Sequence, residues 1–279
     1  MSTLLDLTGQ LDTETIDTLS DVHDVATQLD IPYIIVGATA RDLILHHGYG
    51  AAVQRATSDI DFAIQVDSWP SFEAVKQALC LRNFAQTSMP HRLANSEGKP
   101  IDIVPFGTAM QNDSTIAWPP DGDVIMNVMG FQEACEHAQT VVVRQTPYLA
   151  CPVVTPEGFA ILKFIAWQDR PQPDRKKDAS DIGYLFSVFT QLDAFIEDLY
   201  SENNAADLER YDWDTDLAAC FVLGKNCKAI AFDQTAAKIL ELRRNPDNLN
   251  IARLAEEFRS GITTENLKYL EAFMDGMDL

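Results

Sequence analysis

Two kinds of apolar patterning divide this chain. From Thr13 to Leu29, apolar residues recur at Ile16, Leu19, Val22, Val25, Ala26 and Leu29, the spacing of one helix face. Pro32 then leads into a continuous apolar run through Val36 that reads as a buried strand, and Gly37 breaks it. Thr39 to His46 predicts a short helix with Thr39 near its N-terminus, followed by a glycine-bearing loop from His47 to Arg55. Asp59 to Val66 alternates as a strand, with Ile60, Phe62 and Ile64 on one face and Asp59, Asp61 and Ala63 on the other. Ser71 to Leu81 predicts another helix. Phe84 to Leu93 and Lys99 to Phe106 predict a hairpin turning at Asn95-Ser96-Glu97-Gly98, and Val124 to Met129 and Val141 to Val143 are further short strand candidates.

From Thr155 the pattern becomes helical. Pro156-Glu157-Gly158 opens a helix over Phe159 to Gln168, a charged loop spans Asp169 to Arg175, and a second helix runs from Lys176 to about Phe189. Further helices are expected over Gln191 to Tyr200, over Leu217 to Cys220 with Lys228 to Arg244, and over Ile251 to Met274. Pro147, Pro152 and Pro156 cluster where the character changes. The expectation is an α+β core with a mixed sheet over residues 1–150 and a helical domain over 151–279.

Composition removes several function classes. In 279 residues no apolar run approaches the roughly 20 that a membrane helix needs, and the N-terminus lacks a signal-peptide pattern, so a soluble cytoplasmic protein without membrane partners is expected. Five scattered cysteines without a CxxC pair suggest neither a disulfide frame nor a zinc site. The formal net charge of −21 disfavours avid, non-specific nucleic-acid binding and allows a basic partner protein.

The candidate chemistry lies between Gly37 and Asp102. D-x-D occurs at Asp59/Asp61, Asp121/Asp123, Asp212/Asp214 and Asp214/Asp216; the last three lack strand flanks and read as solvated turns. The run Asp212 to Asp216 lacks the glycine and late glutamate of a calcium loop. Asp59 and Asp61 project to one face of a strand, near enough to share a hard cation or to line a solvated sheet edge. Asp102 is the one acidic residue inside Ile101-Asp102-Ile103-Val104-Pro105-Phe106: either it is a hairpin residue pointing to water, or it is buried, and an isolated buried carboxylate is costly. Placed beside Asp59, it would be a third metal ligand or a base for an attacking hydroxyl. At Gly37 a strand-to-helix turn frees backbone N–H groups that favour phosphate. Ala38 and Thr39 are small enough to admit one, although Thr39 reads equally as an N-cap. His91-Arg92, opposite the Asp102 strand, can also face this site.

In combination, Gly37 through Asp42, Asp59-Ile60-Asp61 and Asp102 resemble the nucleotidyltransferase core of the DNA polymerase β superfamily, and Gly-x-x-Ala-Arg-Asp is similar to the CCA-adding branch. Ala38 replaces the second small residue of the usual Gly-Gly or Gly-Ser pair. The stretch Glu157 to Arg170, with Lys163 inside it, followed by Lys176-Lys177-Asp178-Ala179-Ser180-Asp181-Ile182, resembles the AbiEii/AbiGii toxin-like group; the likeness covers roughly residues 30 to 190.

This resemblance implies a polymerase β-like core and Mg2+ held by Asp59, Asp61 and Asp102. It implies a nucleoside triphosphate met by Gly37, Ala38, Thr39, Arg41 and Asp178. It places Lys163 on phosphate or the leaving pyrophosphate, supported by Asp181. The residues themselves leave Lys163 open to snorkelling, and Asp178 and Asp181 open to pairing with Lys176, Lys177, Arg170 or Arg175. The implied activity is Mg-dependent transfer of a nucleoside monophosphate to an acceptor hydroxyl, with tRNA as one acceptor, by an AbiEii-type toxin of a toxin–antitoxin or phage-defence system with a cognate antitoxin. A nucleotidylyltransferase acting on a small molecule or protein is the alternative, as is a non-catalytic nucleotide-binding partner protein.

Overall fold

The computed structural model describes residues 4–53, 59–107, 114–245, 250–258 and 262–279. The chain divides into two compact units, Met1–Thr155 and Pro156–Leu279. The end of the expected His47–Arg55 loop, with Ala56, Thr57 and Ser58, lies outside the described residues.

In the first unit the described elements are β1 (Leu5–Asp6), α1 (Thr13–Gln28), β2 (Tyr33–Val36), α2 (Gly37–Arg41), β3 (Ile60–Gln65), α3 (Trp69–Cys80), β4 (Ala85–Gln86) and β5 (Arg92–Ala94). After them come β6 (Pro100–Phe106), β7 (Thr115–Ala117), β8 (Ile125–Asn127), α4 (Phe131–Glu136), β9 (Gln139–Gln145) and β10 (Tyr148–Val153). The expected Thr39–His46 helix starts earlier, at Gly37, and continues beyond α2 as wider π-helical turns over Asp42–Gly48. Asp12 fixes the start of α1 by accepting the Thr15 N–H at 2.8 Å. Leu19, Val22, Val25 and Ala26 form its buried face; Thr15 and Thr18 join them, while Ile16 is half-buried and Leu29 caps the helix at the surface.

Eight strands form one sheet in the order β1-β9-β10-β2-β3-β6-β5-β4. The pairs β1/β9, β10/β2 and β3/β6 are parallel and the others antiparallel, so the sheet is mixed. β2 and β3 lie at its centre, and Ile34, Ile35, Ile60, Phe62 and Ile64 are each at most 1% exposed. Two strand expectations need correction. Phe84 to Leu93 is not one strand: the Thr87 hydroxyl donates to the Met89 and Arg92 carbonyls, and this side-chain-bonded turn separates β4 from β5. The Asn95 turn holds as expected, its side-chain oxygen accepting the Glu97 and Lys99 N–H groups. The proline-rich stretch read as a break contains β10, with Pro152 opposite Thr140.

The second unit is helical: α5 (Pro156–Asp169), α6 (Arg175–Phe189), α7 (Asp193–Leu199), α8 (Ala205–Arg210), α9 (Thr215–Ile230), α10 (Asp233–Arg244), α11 (Ile251–Glu257) and α12 (Thr263–Met277). α9 joins the expected Leu217–Cys220 piece to the start of the Lys228–Arg244 piece, which breaks after Ile230 and resumes as α10; Asp214 is the N-cap of α9, so the Asp212 to Asp216 run is turn, cap and first helical turn. The expected helix from Ile251 to Met274 is two helices, with residues 259–261 outside the described set. Phe164 stacks on Phe273 at 4.7 Å between ring centroids, and Phe186 packs on the same ring.

α9 and α12 approach so closely that a methyl group on Gly224 would strike the Phe273 carbonyl, and one on Gly276 the Phe221 carbonyl. Both obstacles are backbone, which cannot swing aside. Gly276→Ala should therefore destabilise this unit by about 2 kcal/mol despite alanine's better helix propensity. Urea unfolding of the full chain measures this, and an alanine variant of equal or greater stability would show that the helices have room to spare.

Candidate active site

The strand registers bring four residues into one row across the sheet. Val36 pairs with Asp61, Asp61 with Asp102, and Asp102 with Arg92, so Asp61, Asp102 and Arg92 sit side by side. Asp59, two residues before Asp61, joins them from the segment just ahead of β3. One carboxylate oxygen from each of Asp59, Asp61 and Asp102 lies within 4.8 Å of the other two. All three side chains are half-buried, so Asp102 is not the solvated hairpin residue that its position alone permitted. Three carboxylates this close repel one another unless cations stand among them. Their all-oxygen donor set and spacing fit a hard divalent cation.

The turn between β2 and α2 is built around Asp61. Gly37 has φ +68°, in the left-handed region, and a Cβ there would collide with the Asp61 carboxylate. Backbone conformation and space both demand glycine. The N-cap of α2 is Val36, so Thr39 is not the cap. Thr39 is buried, and its hydroxyl donates to the Asp59 carbonyl at 3.0 Å, tying the helix to the segment that carries Asp59. Ala38 is also buried. The Arg41 side chain is fully buried, with its Nε 2.8 Å from Asp42 Oδ1.

Arg92 reaches the carboxylates from β5. Its Nε donates to Asp102 Oδ1 at 2.6 Å and its Nη2 to Asp102 Oδ2 at 2.7 Å, a two-pronged grip; the same Nη2 also donates to Asp59 Oδ2 at 3.2 Å. The hydrogen bonds to Asp102 and the charges of Asp102, Asp59 and Asp61 hold the guanidinium well above its ordinary pKa.

The second unit carries its own buried cluster. Lys163 Nζ lies 3.0 Å from Asp178 and 2.7 Å from Asp181, and both aspartates are fully buried. Arg170 also pairs with Asp178 at 3.0 Å, and the Lys163 ammonium stands 5.4 Å from the Phe159 ring centre. Burial pulls the Lys163 pKa down, but the charges and hydrogen bonds of the two aspartates outweigh it and hold the amine above its ordinary value. Lys163 is thus no snorkelling surface lysine, and its pairs bridge α5 and α6. A second network, not foreseen from sequence, gathers Arg175, Trp167 and Gln172 on the Glu257 carboxylate and holds Glu257 down at about 2: burial raises it, but these donors prevail. The thiols of Cys151, Cys220 and Cys227 are buried and pushed up, which unsuits them as nucleophiles.

The sequence profile of a family described as nucleotidyl transferase AbiEii toxin, type IV TA system, matches residues 22–274. The chain belongs to the AbiEii family. It is accordingly a nucleotidyltransferase by family, with an α+β core and a helical C-terminal part. No curated protein matches it. Among solved structures, it is similar to the antibiotic-resistance factor ANT(2'')-Ia in solution, at 15% identity and TM-score 0.36, over 72% of this chain and 95% of that one. A crystal structure of ANT(2'')-Ia with adenylyl-2''-tobramycin gives 16% identity and TM-score 0.38, over 71% and 99%. The Thermotoga maritima CCA-adding enzyme complexed with tRNA gives 13% identity and TM-score 0.29, over 98% and 82%. All three superpositions are loose. Among the described residues no helix is long and apolar enough to cross a membrane.

The Gly37–Asp61 contact yields a direct test in this AbiEii protein. Gly37→Ala should cost about 1–2 kcal/mol for the left-handed backbone alone. The collision with Asp61 should add to that loss and weaken binding of Mn2+, a spectroscopic probe of divalent-cation binding. Urea unfolding and Mn2+ titration measure both; wild-type values for the alanine variant would refute the packing argument.

Proposed function

We propose that this chain transfers a nucleoside monophosphate from a nucleoside triphosphate to an acceptor hydroxyl, with Mg2+ held by Asp59, Asp61 and Asp102. The observation that carries this reading is the convergence of three carboxylates from two chain segments beside a glycine turn that a side chain would obstruct. Mg2+ bound there would neutralise charge developing on the transferred phosphoryl group and favour ionisation of the acceptor hydroxyl.

The chain's own groups divide the remaining work. The backbone at Gly37 and Ala38 lets a phosphate approach where a larger residue would exclude it. Thr39 and Arg41 act as positioning residues: the first anchors Asp59 through its carbonyl, and the second braces α2 through Asp42. Asp102 is the third ligand or the base that receives the acceptor proton. We assign Lys163, on the resemblance alone, a cationic role toward the triphosphate with Asp178 and Asp181 in support; what the ion pairs themselves do is hold α5 to α6.

The family description leads us to propose a toxin of a toxin–antitoxin system, and we take the cytoplasm as its location and tRNA as its first candidate acceptor. The net charge of −21 favours a second reading, in which the acceptor is a small molecule or a protein and not a long polyanion.

Incubation with each labelled nucleoside triphosphate, Mg2+ and total cellular RNA should give a labelled product. A band at tRNA size supports the first acceptor, and label on small molecules or protein supports the second. Asp61→Asn should reduce transfer by roughly a thousandfold, because several kcal/mol of charge stabilisation are lost, while the unfolding midpoint changes little. Full activity in that variant would refute the assignment of Asp61.

A further inference from the structure

We propose that Arg92 is an internal counter-ion that a divalent cation displaces from Asp59 but not from Asp102, and that the displaced N–H then donates to a phosphoryl oxygen of the bound triphosphate. This rests on the nucleotidyl-transfer reading above and adds a residue and an order of events to it. Arg92's contacts are unequal. Both Asp102 oxygens are held by the two parallel bonds of the guanidinium fork, at 2.6 and 2.7 Å, whereas Asp59 receives a single longer bond at 3.2 Å. Charge-assisted bonds strengthen as they shorten, and the fork adds geometric specificity. The Asp59 contact is therefore the first to yield.

Register makes the fork hard to break. Arg92 and Asp102 are direct cross-strand partners in the β5/β6 pair, so the grip is fixed by the sheet and not by a loop. The Arg92 side chain is only 29% exposed. Nη2 carries two hydrogens, and its bonds run to Asp102 and to Asp59. When Asp59 turns to the cation, Arg92 keeps the first bond and has the second free for an anion arriving with that cation. Arg92 thus opposes binding of the cation alone and favours binding of the cation together with a triphosphate. Such opposed effects link occupancy of the site to substrate.

The test uses the full chain and Mn2+, read from the electron paramagnetic resonance signal of the free ion, first alone and then with each α,β-methylene nucleoside triphosphate. Arg92→Gln should bind Mn2+ roughly tenfold more tightly than wild type, the size of one lost competing charge contact, yet bind the triphosphate roughly tenfold more weakly in saturating Mn2+. Arg92→Lys, which keeps a charge without the fork, should move both values in the same directions by less, and carries the test if the glutamine variant fails to fold. Arg82→Gln removes equal charge from the Asp21/Asp24 pair and should change neither value. Unchanged or weaker Mn2+ binding in the Arg92 variants overturns the counter-ion role, and unchanged triphosphate binding overturns the phosphate contact. Asp61→Asn separates the two levels. If it abolishes Mn2+ binding while the Arg92 variants behave as wild type, only this inference falls; if it binds Mn2+ as wild type does, the nucleotidyl-transfer reading falls too.

Discussion

The first unit is organised around the place where the Asp61 carboxylate occupies the space that any side chain at position 37 would need. That contact can exist only if β2 ends at Val36, the backbone turns left-handed at Gly37, and β3 enters the sheet with Asp61 opposite Val36. A one-residue slip of β3 would send Asp61 to the other face and expose Ile60, Phe62 and Ile64 to water. The register is thus held by hydrophobic burial on one side of the strand, and the carboxylates on the other side inherit their positions from it. Asp102 and Arg92 extend the row because β6 and β5 continue the same pairing.

Much of this was legible in the chain. Apolar patterning gave α1, β3 and α3, which bury a regular face, β2, which is a continuous apolar run buried throughout, and the two helices that carry Lys163 and Asp181. The alternation around Asp59 and Asp61 placed both on one face, and the isolated acid in the Asp102 strand pointed to a third partner. What escaped had physical reasons. β10 was hidden by Pro152, since proline usually marks a break and a strand that tolerates it looks like a linker. Thr39 read as a cap because its contact, the Asp59 carbonyl, is distant in sequence. Arg92 was visible only as a residue opposite Asp102; the two-pronged grip follows from the turn at Asn95, which sets the register.

The helical unit follows a different logic. Its charged residues are not confined to a solvated face: Asp178 and Asp181 are fully buried, and Lys163 and Arg170 satisfy them. Removing one partner of such a buried pair typically costs 3–5 kcal/mol, because the other charge stays behind uncompensated. Glu257, with Arg175, Trp167 and Gln172, repeats the arrangement between α11 and the α5–α6 segment. In a chain of net charge −21, these local neutralisations let acidic residues enter the interior, and they leave most of the excess negative charge on the surface.

The central claim is that Asp59, Asp61 and Asp102 form one divalent-cation centre beside the Gly37 turn. Anomalous diffraction from crystals soaked in Mn2+ tests it most directly. The expected result is a peak about 2.1 Å from one oxygen each of Asp59, Asp61 and Asp102, the distance expected for a small divalent ion, with Arg92 still donating to Asp102. A peak elsewhere in the molecule, or none at saturating Mn2+, would contradict it.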